Sequence, residues 1–320
     1  VSIQKGEAVL VKTPYSMVTT AHQMHQATIL SGAFVVPADN RSSMMSYPKV
    51  LRLMQDLPIN IAWCLPTEAL LWARTAELTE KETASDFPDF RAFLVAGEAL
   101  SPAKRTHIEK MWNAKVFEDY GSTETGSLAG ECNHRNLHAW TDRLYLEVYD
   151  PKTGKTAESG TGQLVVTPLY REAMPLVRYL VGDTVDLGSS PCPCGSELPT
   201  INVLGRPEES LRVNGRSLGT KSIEEVIYSV PNLKSSLFYR VDWDIQGIEI
   251  QLDGLGDSFK DARAHLEIAF QDAFGVDVVF HKADGKIISP RKLLEETKFS
   301  KPKFIRPRII KEAPCYQGLC

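Results

Sequence analysis

The fold is decided around residues 115–126, which read KVFEDYGSTETG. The first five residues are typical of a β-strand, and a polar segment with two glycines follows them. Upstream, short apolar runs alternate with helix-length stretches, which indicates βαβ units and a largely parallel sheet. The predicted strands lie at residues 7–11, 33–37, 59–63, 93–96 and 115–119. The polar segment is therefore expected at the carboxyl edge of the sheet, where open α/β sheets bind ligands.

The hydrophobic pattern changes after Gly121. Short strand-like runs separated by turns lie at residues 144–149, 162–167 and 184–187. The first of these runs alternates with a period of two, which favours a small antiparallel sheet or barrel. From Ser222 onward, a helix, two strands, a helix and a strand follow one another, the order of an α+β unit.

Length and composition agree with two globular domains. The chain has 320 residues, and at roughly 150 residues per domain about two domains are expected. We predict an α/β N-terminal domain at residues 1–206, with a β subdomain at about 127–206, and a mobile α+β lid domain at residues 207–320. Hydrophobic residues make up 43% and charged residues 24%, ordinary values for a globular protein.

Net charge and apolar run length exclude two classes of partner. Lys and Arg total 36 against 40 for Asp and Glu, a formal net charge of -4, whereas nucleic-acid binding needs clustered basic charge. No apolar run approaches the ~18 residues of a membrane span, and the N-terminus has no signal-peptide form. We therefore expect a cytoplasmic protein that binds neither nucleic acid nor a membrane.

The polar segment carries the groups that a nucleotide needs. Tyr120 offers an aromatic face to a purine, and Gly121 allows close approach of the backbone. The hydroxyls of Ser122 and Thr123 can bond phosphate oxygens, and Glu124 is a hard oxygen ligand for Mg²⁺. Taken alone, the same segment is equally well interpreted as a polar loop that caps a helix.

Three further segments support the nucleotide interpretation. Residues 95–99, VAGEA, follow a strand and place a loop at the same sheet edge. Residues 178–183, RYLVGD, put Asp183 after a turn, where it could bind a ribose diol. Residues 205–209, GRPEE, precede the C-terminal domain.

In this order, the segments resemble the adenylate-forming superfamily of acyl-CoA synthetases, and within it the phenylacetate–CoA ligase subfamily. Further matching stretches lie at residues 138–142, 147–154, 172–179 and 205–225. The resemblance implies ATP-dependent activation of an aryl or small carboxylic acid as an acyl-AMP, followed by transfer to a thiol, most often that of CoA. A carrier protein or an amine as acceptor, a non-catalytic nucleotide-binding relative, and a zinc-stabilised binding module are the alternatives.

The resemblance assigns a role to each matching residue. Its nucleotide-binding positions are Gly97, Glu98, Ala99, Asp119, Tyr120, Gly121, Ser122, Asp183 and Arg206. Tyr120 would stack on adenine, Asp183 would bind both ribose hydroxyls, and Arg206 would reach the ribose or phosphate region. Thr123 would contact the α-phosphate, and Glu124 would hold Mg²⁺.

The resemblance also places a hinge and a catalytic lysine. The hinge falls at Glu208, where the family usually has Asp. Lys303 is the favoured lysine, with Lys301 and Lys286 as alternatives. The family's phosphate loop should lie upstream of residues 7–11, so the N-terminal part of the first domain is expected to be missing from the chain.

The cysteines form a second group of candidate ligands. Cys192 and Cys194 flank one proline, and with Cys132 and His138 they supply four ligands for tetrahedral Zn²⁺. His134 competes with His138 for the fourth position, and ordinary thiols are the alternative interpretation. The resembled subfamily often carries a structural zinc at these places.

A helix predicted at residues 20–31 carries His22 and His25. Without a third ligand, these histidines are expected to line a pocket or lie on the surface. In the resembled family this helix borders the acyl pocket, which Tyr15 and Trp63 would also line. A homodimer is one candidate assembly.

Overall fold

We analysed a computed structural model of the chain. It describes residues 2–16, 18–39, 45–188, 191–207, 210–213, 216–244, 247–295 and 305–307. Within these ranges, no helix is both long enough and apolar enough to cross a bilayer.

The N-terminal part alternates strands and helices, as the sequence predicts. Its elements are β1 Ala8–Val11, α1 Thr20–Leu30, β2 Phe34–Pro37, α2 Tyr47–Asp56, β3 Ile59–Cys64, α3 Pro66–Leu78, β4 Ala92–Val95, α4 Pro102–Trp112 and β5 Lys115–Ser122. The five strands pair in parallel in the order β2-β1-β3-β4-β5. Pro66 and Pro102 open α3 and α4, where a missing N–H costs nothing. The Ser101 side chain caps α4, and Asn113 ends it in the left-handed region.

Antiparallel strands follow and continue the same sheet. They are β6 Gly126–Glu131, β7 Leu137–Ala139, β8 Leu144–Asp150, β9 Lys155–Ala157, β10 Gly160–Pro168, β11 Tyr179–Gly188 and β12 Thr200–Gly205. The junction is β5, which pairs in parallel with β4 up to Glu118 and antiparallel with β6 from Asp119. The antiparallel region is therefore not a detached sheet or barrel but the second part of a 12-stranded sheet.

Two details of the sequence prediction were wrong. Residues 120–122 were expected to lie beyond the strand predicted at 115–119, but they extend β5 because β6 pairs with them. Asp183 was expected after a turn, but it lies inside β11, next to Gly182, whose φ is 92°. The register between β10 and β11 shifts at this point. Such a bulge re-aims side chains that regular alternation would direct elsewhere.

The C-terminal part is the predicted α+β unit. Its elements are β13 Leu211–Val213, β14 Arg216–Leu218, α5 Thr220–Ile227, β15 Phe238–Asp244, β16 Gly247–Asp253, α6 Phe259–Phe274, β17 Val278–Lys282, α7 Pro290–Leu294 and β18 Ile305–Pro307. Four strands form a sheet in the order β17-β16-β15-β18. The β13–β14 ladder was not predicted, since each strand has only three residues.

The largest apolar core runs through both parts of the molecule. Behind the parallel sheet, the ring centroids of Phe90 and Phe93 are 4.7 Å apart, and those of Phe93 and Trp112 are 5.4 Å apart. Cys64 is buried in this core, as predicted. The same cluster includes Ile223 of α5 and Phe238 of β15, so the C-terminal unit is packed against the N-terminal helices. The two parts of the chain therefore share one apolar core.

Candidate nucleotide site and metal-binding cluster

Three of the predicted nucleotide-binding residues form one hydrogen-bonded group. The Tyr120 hydroxyl on β5 donates to Oδ2 of Asp183 on β11 at 2.7 Å. Arg206, directly after β12, donates from Nε to Oδ1 of the same carboxylate at 2.9 Å. Burial, together with the adjacent Asp183 carboxylate, raises the pKa of Tyr120. Both oxygens of Asp183 thus hold residues from neighbouring segments in fixed positions.

The turn between β5 and β6 presents Thr123 and Glu124. Both residues are exposed, and the Arg171 guanidinium donates to the carbonyl of Glu124. Behind them, the Thr125 N–H donates to Ser122 Oγ at 3.2 Å. A Cβ on Gly121 would stand 2.2 Å from the Gly126 carbonyl oxygen, so only glycine fits this tight turn. The turn is hydrogen-bonded and closely packed at its base and exposed at its tip.

Asp119 is anchored by Ser127 and Trp140, to which the sequence assigned no role. The Ser127 hydroxyl donates to Asp119 Oδ2 at 2.6 Å, and Trp140 Nε1 donates to Ser127 Oγ at 2.9 Å. Burial raises the pKa of Asp119 to about 7, against the lowering effect of the Ser127 hydrogen bond. Burial also raises the pKa of the adjacent Glu118 to about 7. A lone serine and a lone tryptophan give no sequence signal for this chain of contacts.

The loop at residues 97–99 lies directly beyond β4. Gly97 has a φ of 77°, a left-handed conformation that favours glycine. The Glu98 carboxylate accepts hydrogen bonds from the Thr67 N–H at 3.0 Å and the Thr67 hydroxyl at 2.5 Å. Glu98 therefore ties the loop to the first turn of α3, where a helix N-terminus favours a negative charge.

A cavity of about 540 Å³, widely open to solvent, lies along α1. Its lining residues are Tyr15, Val18, Thr19, His22, Gln23 and Gln26. Gln23 Oε1 is 3.9 Å from where a Cβ on Gly126 would stand, so the cavity adjoins the Thr123–Glu124 turn.

The two helix histidines have different positions. His22 lines the cavity, and its Nε2 donates to the Tyr15 carbonyl oxygen at 2.8 Å. His25 bonds the Tyr15 hydroxyl through Nδ1 at 3.1 Å. Trp63, expected in the pocket, is instead buried in a core cluster with Val11 and does not line the cavity.

The predicted zinc ligands converge at the far side of the antiparallel strands. The ligand atoms of Cys132, His138, Cys192 and Cys194 all lie within 4.8 Å of one another. Cys132 Sγ and Cys192 Sγ are 3.7 Å apart, and Cys194 Sγ is 3.3 Å from His138 Nε2. The side chain of His134 is exposed and stands outside this group, so the geometry favours His138 over His134.

Two turns and one backbone carbonyl shape the cluster. The Arg135 N–H donates to the Cys132 carbonyl, and the Gly195 N–H to that of Cys192, so one tight turn carries Cys132 and another carries Cys192 and Cys194. His138 Nδ1 donates to the Leu198 carbonyl at 2.9 Å, which directs Nε2 at the sulfurs. The Cys194 N–H lowers the pKa of Cys192 to about 6. Three cysteine sulfurs and one imidazole form a donor set suited to tetrahedral Zn²⁺.

The hinge and two of the candidate lysines cannot be placed. Glu208, Lys301 and Lys303 lie outside the described residues. Lys286 is exposed in the turn after β17, and its N–H donates to the Ala283 carbonyl.

Comparisons with known proteins agree on one family. The family model described as AMP-binding enzyme matches residues 2–167. The phenylacetate–coenzyme A ligase of Thermus thermophilus is 28% identical over 225 residues, 68% of this chain and 49% of that protein. The ligase of the same name from Aromatoleum evansii is 27% identical over 247 residues, 75% of this chain and 54% of that protein. The chain thus spans about half the length of the curated relatives that it matches.

Solved structures confirm the fold class. 2-Hydroxyisobutyryl-CoA ligase in its postadenylation state, in complex with R3-HIB-AMP, matches with a TM-score of 0.83 and 18% identity, over 95% of this chain and 66% of that chain. The same ligase in its thioesterification state, with 2-HIB-AMP and CoA, gives a TM-score of 0.61 and 17% identity, over 95% and 65%. The arrangement of the two parts of this chain is therefore closer to the former.

Proposed function

Because the chain belongs to the family of AMP-binding enzymes, we propose that it forms the nucleotide-binding and lid portion of a ligase that activates a carboxylic acid with ATP and passes the acyl group to CoA. The observation that carries the proposal is the Tyr120–Asp183–Arg206 group at the open turn of Thr123 and Glu124. An aromatic ring, a carboxylate and a guanidinium there offer contacts for a base, a ribose diol and a phosphate.

The proposed chemistry proceeds in two displacements. A carboxylate oxygen of the acid attacks the α-phosphorus of ATP, the bond to the β-phosphate oxygen breaks, and acyl-AMP and pyrophosphate form. The thiol of CoA, losing its proton, then attacks the acyl carbon, and AMP leaves. Crowded negative charge is the barrier in the first step, so charge stabilisation is the main catalytic demand.

The residues near the turn have distinct tasks in this proposal. The Thr123 hydroxyl bonds the α-phosphate, and the Glu124 carboxylate is the oxygen ligand for Mg²⁺, which supplies positive charge when bound. Asp183 bonds the ribose hydroxyls, and the Tyr120 ring covers the adenine. Lys303 of the C-terminal unit provides the ammonium that meets the carboxylate and the α-phosphate.

The acid is proposed to lie in the cavity along α1. This cavity adjoins the Thr123–Glu124 turn through Gln23. The reacting carboxylate would then lie next to the α-phosphate, as the first displacement requires. The relatives' name, phenylacetate–coenzyme A ligase, supports an aryl or small acid as substrate and CoA rather than a carrier protein or an amine as acceptor.

The Cys/His cluster is proposed to hold one structural zinc ion. Cys132, His138, Cys192 and Cys194 would fill all four tetrahedral positions, leaving none open for a catalytic water. Their contribution is then to fold stability rather than to chemistry.

Pyrophosphate exchange on the full-length protein tests the proposed function. With a panel of aryl and aliphatic acids, label should pass from pyrophosphate into ATP only when a suitable acid is present. If none of the acids supports exchange although AMP still binds, a non-catalytic nucleotide-binding relative would be favoured.

A further inference from the structure

A buried ion pair joins the two parts of the chain. Lys104 Nζ on α4 lies 2.7 Å from Glu224 Oε1 on α5, and the two side chains are only 3% and 2% exposed. The Tyr239 hydroxyl on β15 donates to the same oxygen at 3.0 Å. Removing two charges from water costs several kcal/mol, so such a pair is weak evidence for stability. The pair instead specifies an orientation, since the two charges meet in only one relative placement of α4 and α5.

Neighbouring polar contacts fix the same placement. The Ala103 N–H, in the first turn of α4, donates to Glu225 Oε2 at 2.8 Å. A helix leaves this N–H without an internal partner, so α5 supplies one. The Ser236 N–H donates to Glu77 Oε1 at 2.7 Å, and Arg74 Nη2 donates to the Ser236 carbonyl at 2.9 Å. Backbone groups of each part are thus satisfied by side chains of the other.

The ion pair also reaches the nucleotide loop. Lys104 Nζ lies 3.5 Å from the carbonyl oxygen of Ala99, the last residue of the 97–99 loop. Ala99 and Glu224 therefore face the same ammonium group. A movement of α5 away from α4 would leave that ammonium without its carboxylate, next to the loop proposed to face the adenine.

We propose that Lys104 and Glu224 are positioning residues, which hold the C-terminal unit in the orientation for acyl-AMP formation and part when that unit turns for transfer to the thiol. The proposal rests on the proposed function, because it requires two half-reactions. Once parted, both charges are solvated, so removing one charge penalises only the docked orientation, where the other would stay buried and unpaired. The first half-reaction should therefore suffer and the second should not.

Charge removal, singly and together, tests the pair in the full-length protein. Lys104→Met and Glu224→Met should each lower pyrophosphate exchange about tenfold or more, since breaking a buried pair is strongly destabilising. Transfer from supplied acyl-AMP to CoA should stay within about twofold of wild type. The double variant, which fills the site with two apolar side chains, should recover exchange to within about threefold. Glu224→Gln, which keeps a partner for the Tyr239 hydroxyl, replaces Glu224→Met if that variant does not fold.

An exposed pair and a physical measurement serve as controls. Arg263 and Glu267 form an ion pair one turn apart on α6, and Arg263→Met with Glu267→Met should change neither half-reaction. Hydrogen–deuterium exchange should rise at residues 99–107 and 220–228 in the single variants and return towards wild type in the double variant.

Two kinds of failure can be told apart. Equal loss in both half-reactions, no loss at all, or no recovery in the double variant would overturn the role of the pair alone. A wild-type protein that catalyses neither half-reaction would overturn the proposed function, and the role of the pair with it.

Discussion

The nucleotide site and the Cys/His cluster are both built on the antiparallel part of the sheet, but in opposite ways. In the proposed nucleotide site, each Asp183 oxygen already accepts one hydrogen bond from a neighbouring residue, while Thr123 and Glu124 are exposed. In the cluster, four metal-binding atoms converge within 4.8 Å. We propose that this convergence holds one ion in place. The proposed nucleotide site instead has an exposed edge, at Thr123 and Glu124.

This difference separates the effects of mutations. A ligand that enters the nucleotide site must share Asp183 with Tyr120 and Arg206, so changes there should alter affinity and rate. A change in the cluster leaves soft donors without an ion, so it should alter stability. Each prediction below tests one side of this contrast.

The largest effect is expected at Lys303. Lys303→Ala should lower acyl-AMP formation by two or more orders of magnitude, since a charged donor at such a centre is worth several kcal/mol. Transfer from supplied acyl-AMP to CoA should survive. The measurement is pyrophosphate exchange beside single-turnover transfer, with Lys286→Ala as the matched control. If Lys303→Ala slows both steps equally, or neither, the assignment passes to Lys301 or Lys286.

A cluster variant should change stability and leave nucleotide binding intact. Cys192→Ala should abolish the one zinc expected per chain and lower the melting temperature by roughly 5 °C or more, as expected for the loss of a few kcal/mol. AMP affinity should change less than about twofold. Cys64→Ala is the control, because it removes a buried thiol of the core and should keep the metal.

Metal analysis of protein purified without chelator checks the same claim directly. Absence of zinc would contradict the structural-zinc proposal. Zinc retained in Cys192→Ala would also contradict it.

A smaller effect is expected from the buried carboxyl of Asp119. Its pKa is raised by burial from 3.8 to about 7, so the folded state keeps a proton that the unfolded state releases. Stability from this group is present below pH 4 and is lost as the pH rises towards 7. Each pH unit between 5 and 7 costs wild type about 1.4 kcal/mol, so Asp119→Asn should gain about 3 kcal/mol relative to wild type between pH 5 and pH 8. Denaturant unfolding of both proteins at pH 5 and pH 8 checks this. If the variant and wild type differ by the same free energy of unfolding at both pH values, the prediction is contradicted.

Sequence patterns were sufficient for most of the fold because they are local. The βα alternation up to β5 and the α+β order after Ser222 were confirmed. The convergence of Cys132, His138, Cys192 and Cys194 was confirmed as geometry, because two short turns carry the sulfurs and strand β7 carries the imidazole.

Interactions between distant single residues could not be predicted in this way. The register shift that puts Asp183 inside β11 depends on pairing with β10, not on its own sequence. The Lys104–Glu224 pair joins residues 120 positions apart, and although Glu224 lies in a stretch that matches the family, nothing in the sequence indicates its partner. The Ser127–Trp140 contact behind Asp119 depends in the same way on the folding of β6.

Calorimetric titration of AMP into the full-length protein tests the central claim most directly. Asp183→Ala removes the carboxylate that holds Tyr120 and Arg206, and Asp186→Ala changes an exposed aspartate of the same strand. Hydrogen bonds to a charged group are worth roughly 1.5–3 kcal/mol, so Asp183→Ala should weaken AMP binding about tenfold or more. The AMP affinity of the Asp186→Ala variant should equal that of wild type. An unchanged affinity in Asp183→Ala, or a wild-type protein that does not bind AMP, would contradict the account.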